Sequence, residues 1–307
     1  MSASFASALS AAHEAASSQH YPAGTLYIVA TPIGNLSDIS LRALHVLGLV
    51  DAIACEDTRH TQALLRAYGI DKPNAQLLAV HQHNESEAAQ NVVRRLQQGE
   101  RIAYASDAGT PAISDPGARV VAAARAVGIP VVPLPGASSI TAALSAAGIV
   151  QDTGFVFMGF LPSKATERDT AAQGLLAEPR AVVLLEAPHR IEALARSLAC
   201  LGERPVTVAR ELTKQFEEIA TVAAQDLSAW LAAQASRTRG EFVVVVHPAP
   251  PSEAPEQDLR VLKLLLAELP LKTAVQLCAD ITGQPRKPLY SAALALKPDN
   301  KDSDEDS

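Results

Sequence analysis

Five loops rich in glycine, proline and small polar residues follow five strand-like segments in the first half of the sequence. They are TPIGN (31–35), CEDTRHT (55–61), HQHNE (81–85), SDAGTP (106–111) and PGASS (135–139). Turn chemistry explains any one of them alone, because Gly, Pro, Asp and Ser are the residues that turns require. All five together indicate a binding site, since connections between strands and helices rarely need more than about two to six residues.

The fourth loop continues as SDAGTPAISDPG (106–117), with two Asp, two Pro and two Gly. No Gly-Lys-Ser/Thr follows, so it is not a Walker phosphate loop, and its glycines lack the GxGxxG spacing of a dinucleotide fingerprint. The prolines fix φ and the glycines allow a ligand to approach the backbone closely. The loop therefore presents backbone atoms and an acid to a ligand other than a bare phosphate.

Metal binding and covalent catalysis have little support in the sequence. His81 and His83 are two ligands without a Cys or further His at matching spacing, whereas zinc needs three or four, so we predict no metal site. Glu56, Asp57 and Arg59 fit either an acid–base pair or the capped start of a helix, and both interpretations stay open. No Ser-His-Asp order or GxSxG elbow indicates a covalent nucleophile.

The elements that carry these loops alternate between strand-like and helix-like patterns from residue 25 onward. The predicted strands are 25–31, 52–54, 77–80, 101–105 and 131–134. Helices with recognisable ends separate them; Asn84 with Glu87, for example, fits an N-cap and its capping-box partner. This alternation predicts a largely parallel sheet covered on both faces, in which ligands bind beyond the carboxyl ends of the strands. The five loops follow those ends.

The second half predicts another sheet. Its strand candidates are 155–160, 181–187, 205–211, 217–222 and 241–248. Two of them, 205–211 and 217–222, lie too close together for a crossover helix, which indicates a mixed sheet. The predicted fold class is therefore α/β, with one α/β domain over 23–150 and a second over 151–248.

The remaining segments differ from these domains in composition. Residues 1–22 are rich in Ala and Ser without the pattern of a secretory signal, and we predict a disordered extension. The stiff, proline-rich stretch PAPPSEAPE (248–256) predicts a linker over 249–256. Residues 257–298 predict three short helices with six Lys or Arg against three acids, which fit a helix-turn-helix-like module but also a dimer contact or a lid, and the pattern alone favours the last two. Residues 299–307 hold five acids and predict a disordered tail.

Composition limits the class of protein. Apolar residues make up 48% and aromatic residues 4%, so Ala, Val, Leu and Ile must fill the cores, as in helices packed on sheets. The net charge of −7 argues against a surface that coats nucleic acid generally. No apolar run reaches the length of a membrane span. Three isolated cysteines, Cys55, Cys200 and Cys278, fit a reducing compartment, and we predict a cytoplasmic protein.

Eight sequence blocks occur in a defined order. They are GTLYIVATPIGNLSDISLRAL, EDTRHT, SDAGTPAISDPG, PLPGASS, GFLPSK, EAPHR, RELTKQFEE and GEFVVVV. In order and spacing they resemble the ribosomal RNA small subunit methyltransferase I family, ribose 2′-O-methyltransferases of the tetrapyrrole-methylase-like superfamily. LLLAELPLKTAVQLCADITGQPRKPLY is similar to the small C-terminal helical domain of that family, so the resemblance spans roughly residues 24–297.

The resemblance implies an enzyme of two α/β domains, usually a homodimer, that binds S-adenosylmethionine in the cleft between the domains. It implies in-line transfer of a methyl group to a ribose oxygen of 16S rRNA in the small ribosomal subunit, giving 2′-O-methylcytidine in the decoding region. Two alternatives stay open: a small-molecule, tetrapyrrole-type methyltransferase of the same fold, and a catalytically idle S-adenosylmethionine-binding regulator associated with RNA.

The convergent loops and the resemblance together assign the cofactor to four loops. The predicted cofactor-binding residues are Thr31, Pro32, Gly34, Asn35, Ser106, Asp107, Ala108, Gly109, Thr110, Pro111, Pro135, Gly136, Ala137, Ser138, Gly159, Phe160 and Leu161. The catalytic candidates in the matching motifs, which the sequence does not rank, are Glu56, Asp57, Arg59, Glu186, His189, Arg190, Glu211 and Lys214. A base or a cation beside the ribose hydroxyl is what such residues supply.

Overall fold

The computed structural model describes residues 5–81, 85–150, 154–249 and 256–296, which fall into two compact units. The larger unit comprises residues 1–176 and 180–247, and the smaller one comprises 177–179 and 248–307. The larger unit holds two five-stranded sheets with helices packed on both faces of each, so the α/β fold class is confirmed. No helix of the described ranges is both long and apolar enough to cross a membrane.

The first sheet is fully parallel, with strand order β3-β2-β4-β1-β5. Its strands are β1 (Leu26–Val29), β2 (Ala52–Cys55), β3 (Leu77–Ala79), β4 (Ile102–Ala105) and β5 (Val131–Leu134). The described helices of the larger unit are α1 (Ala6–Ala16), α2 (Leu41–Leu49), α3 (Thr58–Ala67), α4 (Glu85–Gln97), α5 (Gly117–Ala126), α6 (Ser139–Ala146), α7 (Ala165–Gly174), α8 (Ile191–Leu198) and α9 (Leu227–Ala232). The three central strands are buried along their whole length, which is why the sequence shows continuous apolar runs there.

The chain leaves the neighbouring strands β1 and β4 toward opposite faces of this sheet. After β1 it enters α2, which packs on one face together with α1 and α3. After β4 it enters α5, which packs on the other face beside α4. Two adjacent strands whose connections diverge leave a crevice at their carboxyl ends, and this is where open α/β sheets bind ligands. The loops that follow β1 and β4 border this crevice.

The N-terminal extension contains a helix, so the prediction of disorder over residues 1–22 was wrong for residues 6–16. In α1, Ala12 and Ala16 are buried, and Leu9 is partly buried against the core beneath α2. The Phe5 ring contacts the edge of the Tyr68 ring, with their centroids 5.3 Å apart. Alanine is the best helix former and its small side chain lets two helices approach closely, but a stretch of Ala and Ser shows little apolar contrast in the sequence.

We expect removal of residues 1–16 to lower the melting temperature by several degrees, measured by thermal unfolding. Burial of one Leu or Phe side chain contributes about 1.5–3 kcal/mol, and the deletion uncovers the apolar surface beneath Leu9 and Ala12. Removal of the acidic tail at 299–307 is the control, and we expect it to leave the melting temperature unchanged. Equal melting temperatures for the two truncated proteins would show that α1 adds nothing to stability.

The second sheet is mixed, as predicted, with strand order β6-β7-β10-β8-β9. Its strands are β6 (Phe155–Gly159), β7 (Ala181–Glu186), β8 (Pro205–Arg210), β9 (Glu218–Ala223) and β10 (Phe242–Val246). The β6–β7 pair is parallel, and the pairs β7–β10, β10–β8 and β8–β9 are antiparallel. Helices α7, α8 and α9 cover one face of this sheet.

Helix α6 covers the other face of the second sheet, although it lies in the segment predicted to belong to the first domain. Its Ile140 and Ala143 are buried against Val183, Ala209 and Val245 of the second sheet. The loop 135–138 between β5 and α6 is therefore attached to the first sheet at one end and to the second sheet at the other. This connection brings the carboxyl edge of the first sheet against the second.

The described part of the smaller unit contains three helices, α10 (Glu256–Glu268), α11 (Leu271–Thr282) and α12 (Arg286–Leu296), close to the three predicted segments. Leu262, Val275, Cys278 and Leu289 form the centre of its core. Gly283 ends α11 with a left-handed φ of 73°, which a glycine adopts readily. Most of the predicted linker and the whole acidic tail lie outside the described residues.

Candidate active site

Hydrogen bonds join the loops that follow β1, β4 and β5. Thr31 and Gly109 each donate a backbone N–H to the carbonyl oxygen of the other, both at 3.0 Å. The Thr31 hydroxyl donates to the Ser106 carbonyl at 3.0 Å, and the Thr110 hydroxyl donates to the Ala137 carbonyl at 3.0 Å. Three of the loops predicted to converge therefore meet, and each holds the next in a fixed conformation.

Two glycines allow these loops to pack closely. Gly109 has a φ of +83°, and a Cβ atom there would lie 3.2 Å from Ile33 Cγ2. A Cβ atom at Gly136 would lie 2.8 Å from the Ala30 side chain. A larger residue at either position requires the neighbouring loop to move, and at Gly109 it also adopts an unfavourable left-handed conformation.

The loop after β2 is joined to the loop after β4 by a reciprocal pair of hydrogen bonds. The Asp107 N–H donates to Glu56 Oε1 at 3.1 Å, and the Asp57 N–H donates to Asp107 Oδ1 at 3.3 Å. Burial raises the pKa of the Glu56 carboxyl, and this effect outweighs the opposing bond from the Asp107 amide. These contacts position Glu56 at the same sheet edge as the three joined loops.

Asp57 and Arg59 form the capped start of α3, one of the two interpretations that the sequence left open. Asp57 Oδ1 accepts the N–H groups of Arg59 and His60 at 2.8 and 3.4 Å. The Arg59 guanidinium contacts Asp57 Oδ2 at 2.8 Å, and its side chain is 90% exposed. The hydrogen bonds from Arg59 hold the pKa of Asp57 well below its usual range.

Two adjoining cavities lie beside these loops. One, of about 140 Å³, is lined mainly by polar groups from the loop after β4 and the start of α6, together with Glu56. The other, of about 380 Å³, is lined mainly by apolar residues at the ends of β7, β8 and β10, together with Ile33 and the half-exposed ring of Phe160. Ser139 and Leu185 line both cavities, so the two cavities are adjacent to each other within the larger unit.

Glu186 is the last residue of β7, and its carboxylate contacts groups of the turn that follows. Its Oε1 accepts the Ala187 N–H at 2.9 Å and pairs with Arg190 Nε at 3.1 Å, while its Oε2 is buried without a hydrogen-bond partner among the described residues. Glu186 lines the apolar cavity beside Leu185, but its side chain is fully buried at 0% exposure. Glu186 and Arg190 therefore brace this turn, and Arg190 also donates to the Leu161 carbonyl at 2.5 Å.

Lys214 lies in the RELTK loop after β8 and is engaged by two acids. Its Nζ contacts Glu211 Oε1 at 2.8 Å and Glu241 Oε2 at 3.2 Å. Burial lowers the pKa of Lys214, but the hydrogen bonds that its ammonium donates to these carboxylates raise the pKa by more, so the ammonium stays charged. Glu211 and Thr213 have left-handed φ values of 52° and 66°, and Thr213 in particular is a strained position because its side chain is β-branched.

The other predicted site residues occupy varied positions. Ser106, Ala108, Gly109, Thr110 and Ser138 line the polar cavity. Gly34 and Asn35 border a separate surface pocket beside Lys214, and Asn35 accepts the Ser37 N–H at 3.0 Å. Pro32 and Pro111 are buried, Pro135 and Gly136 are exposed, and His189 is exposed in the turn after β7. Gly159 is buried at the end of β6, and the Leu161 side chain packs in the core of the second sheet.

Sequence reasoning missed most of the apolar cavity. Leu185, Ala209, Leu212 and Phe242 line it, yet each is indistinguishable by type from a core residue. The one available signal was position, since each lies within about two residues of one end of a predicted strand. Ser139 ends the PGASS loop, one of the five loops predicted to form the site, but it is not among the predicted cofactor-binding residues.

Within the described ranges, no three or more His, Cys, Asp or Glu side chains are grouped as metal ligands. His83 lies outside these ranges, and His81 is exposed. Cys55 is buried at the end of β2, and burial raises the pKa of its thiol to about 11. A thiol that remains protonated at neutral pH is a poor nucleophile and a poor metal ligand.

Comparisons with known proteins cover most of the chain. A family model described as Tetrapyrrole (Corrin/Porphyrin) Methylases matches residues 25–228, and one described as RsmI C-terminal HTH domain matches residues 252–297. Ribosomal RNA small subunit methyltransferase I of Pseudomonas aeruginosa is 50% identical over 281 residues, which is 89% of this chain and 97% of the relative. The protein of the same name from Escherichia coli O157:H7 is 48% identical over 275 residues, covering 88% and 95%.

Solved structures resemble the chain in fold. A conserved hypothetical protein from Aeropyrum pernix K1 aligns with a TM-score of 0.55 at 18% identity, covering 88% of this chain and 95% of that one. The methyltransferase CobJ aligns with a TM-score of 0.51 at 19% identity, covering 74% and 95%. At these identities the likeness concerns the fold alone.

Proposed function

This chain belongs to the ribosomal RNA small subunit methyltransferase I family, within the tetrapyrrole methylases, and from that premise we propose that it methylates 16S rRNA with S-adenosylmethionine as donor. The proposed product is 2′-O-methylcytidine in the decoding region, formed on the small ribosomal subunit in the cytoplasm by a homodimer. The observation that carries the proposal is the meeting of three interlocked loops beside two adjoining cavities at the carboxyl edge of the first sheet.

The two cavities fit the two halves of S-adenosylmethionine. The apolar cavity, with Ile33, Leu212 and Phe242, suits a flat adenine ring, and the polar cavity suits the aminoacyl end and the sulfonium. Backbone oxygens and carboxylates attract a cation, which fits the absence of lysine and arginine from TPIGN, SDAGTP and PGASS. When bound, the sulfonium supplies an activated methyl group and its leaving group. The chain then has to orient the ribose oxygen, and correct positioning contributes about 7–11 kcal/mol in intramolecular reactions.

The smaller unit carries a surface that suits the RNA. A groove of about 660 Å³ is lined by Lys272 on α11 and by Arg286, Lys287 and Tyr290 on α12. All four residues are exposed, and the described lining of this groove contains no acid. Lysine and arginine neutralise phosphates, and an exposed tyrosine ring stacks on an unpaired base. These features favour a role for residues 257–298 in holding RNA over a role as a lid.

Labelling tests the proposed function. We expect the purified protein, incubated with labelled S-adenosylmethionine and small ribosomal subunits, to transfer label to one cytidine ribose, located by nuclease mapping. A second incubation with precursors of corrins or porphyrins should give no labelled product. Label on a base, or on a tetrapyrrole instead of RNA, would contradict the proposal. The small-molecule alternative has the support of fold likeness, whereas the RNA assignment also rests on relatives that match 88–89% of the chain.

A further inference from the structure

Glu56 is a partly buried acid at the polar cavity, and half of its carboxylate is engaged. Its Oε1 accepts the Asp107 N–H at 3.1 Å, which fixes the side chain beside the loop after β4. Among the described residues, none donates a hydrogen bond to Oε2. Glu56 lines the polar cavity together with Ser106, Gly109 and Thr110. An anchored carboxylate with one available oxygen in a ligand cavity has the geometry of a general base.

We propose that Glu56 accepts the proton of the ribose 2′-hydroxyl during methyl transfer; this inference rests on the proposed function. As the ribose oxygen forms its bond to the methyl carbon, the carbon–sulfur bond breaks and its electron pair remains on sulfur. The hydroxyl proton passes to Glu56 Oε2 and then to solvent. The products are the 2′-O-methyl ribose and S-adenosylhomocysteine, so atoms and charge balance without a further reactant.

The other acids of the first sheet edge hold backbone groups. Asp115 also lines the polar cavity, but its Oδ2 accepts the Ala112 N–H at 2.8 Å and its Oδ1 accepts the Gly117 N–H at 2.7 Å. Both Asp57 oxygens are used by Arg59. Asp107 Oδ1 accepts the Asp57 N–H, and Asp107 does not line either cavity.

Three acids of the second sheet and its loops each have one oxygen engaged. Glu186 lines the apolar cavity and its Oε2 has no hydrogen-bond partner among the described residues, but its side chain is fully buried and its Oε1 is held by the Ala187 N–H and by Arg190. Glu211 Oε1 accepts both the Lys214 ammonium at 2.8 Å and the Glu241 N–H at 3.0 Å. Glu241 lines the apolar cavity, but its carboxylate pairs with Lys214 and its side chain is 78% exposed. Of the two acids that line the polar cavity, Glu56 and Asp115, Glu56 is the one with an oxygen available to a substrate.

The electrostatic surroundings of Glu56 favour proton transfer. Burial raises the pKa of its carboxyl, and the charges of Asp107 and Asp115 raise it further, while His60 at the start of α3 lowers it. Cys55 and the buried hydroxyl of Tyr104 also interact electrostatically with Glu56, and Asp57 follows it in the chain. A carboxylate with a raised pKa is a stronger base than an ordinary one and still becomes ionised as the pH rises.

The test compares Glu56→Gln with the intact enzyme in the full chain. Glutamine keeps the acceptor for the Asp107 N–H but cannot take a proton. We expect kcat for methylation of small subunits to fall by about 10²–10⁴-fold, the usual contribution of a general base, with KM unchanged. Affinity for S-adenosylhomocysteine, measured by calorimetry, should stay within about twofold. Glu56→Asp should recover part of kcat and keep the decline of kcat at acid pH, which Glu56→Gln should lose.

Glu100→Gln is the matched control, because Glu100 pairs with Arg95 at 2.7 Å and precedes β4 at the opposite edge of the sheet. It should leave all of these measurements unchanged. Full activity of Glu56→Gln would overturn the inference, and so would a loss of S-adenosylhomocysteine affinity as large as the loss of kcat, which would assign Glu56 to the cofactor. An intact enzyme that transfers no methyl group to small subunits would overturn the proposed function itself, and the inference with it.

Discussion

Replacement of Gly109 by valine is expected to lower the affinity for S-adenosylhomocysteine by at least about 100-fold, or about 2.8 kcal/mol. Gly109 has a left-handed φ of +83°, and a Cβ atom there meets Ile33 Cγ2 at 3.2 Å. A β-branched side chain is strained in this conformation and pushes the loop away from Thr31, whose backbone it pairs with in both directions. Because the loop after β4 lines the polar cavity, its displacement removes one wall of the site.

Gly128→Val separates this effect from backbone strain. Gly128 also has a left-handed φ, of +75°, but a Cβ atom there meets nothing within 4 Å, and the residue lies between α5 and β5 at the other edge of the sheet. We expect a similar loss of thermal stability with unchanged affinity in calorimetry. If the two variants bind S-adenosylhomocysteine equally well, the loop after β4 is not part of the cofactor site.

Charge reversal in the groove of the smaller unit is expected to lower the rate of subunit methylation at least tenfold while the cofactor affinity stays the same. In the full chain, Arg286→Glu with Lys287→Glu exchanges two cations of the groove for anions. Each lost phosphate contact reduces the dependence of binding on salt, so the slope of log affinity against log salt should become shallower by roughly two. An enzyme ending at Pro248 should show the same pattern, with S-adenosylhomocysteine affinity retained.

Arg260→Glu with Lys263→Glu is the matched control, since these exposed cations lie on α10 and do not line the groove. The same charge change should then have a much smaller effect on methylation and on the salt slope. An equal effect of both pairs would indicate a general charge effect and no specific groove. A truncated enzyme that stays folded and methylates subunits as well as the full chain would rule out the RNA role of residues 257–298.

Local sequence patterns predicted the strands of both sheets because their physical causes are local. A strand buried on both faces must be an apolar run. The runs at 26–29, 52–55 and 102–105 would expose apolar side chains to water on the surface, and all three are buried in the sheet. The short spacing between 205–211 and 217–222 excluded a crossover helix, so an antiparallel pair was required, and β8 and β9 form it. Parallel pairing then places every loop after a strand at one edge, which located the candidate site before any contact was known.

Two features of packing were not predictable in this way. Helix α1 consists largely of Ala, Ser and a few apolar residues, and its burial depends on the close fit of small side chains against α2. Helix α6 has an ordinary apolar composition, and nothing in it indicates that Ile140 and Ala143 pack on the second sheet. In both cases the partner is distant in sequence, and apolar residues pack on any complementary surface.

The sequence by itself determined the α/β class, the positions of the strands and the edge that carries the candidate site, and it placed Glu56 and Asp57 among unranked catalytic candidates. The tertiary structure decided what each acid does. Glu56, Asp57 and Asp115 are all carboxylic acids at one edge of the sheet. Asp57 binds a guanidinium and Asp115 accepts two backbone N–H groups, whereas Glu56 accepts one N–H and its second oxygen has no donor among the described residues. The reason is physical: the role of a carboxylate depends on which donors reach its oxygens, and the donor to Glu56 is the amide of Asp107, 51 residues further along the chain.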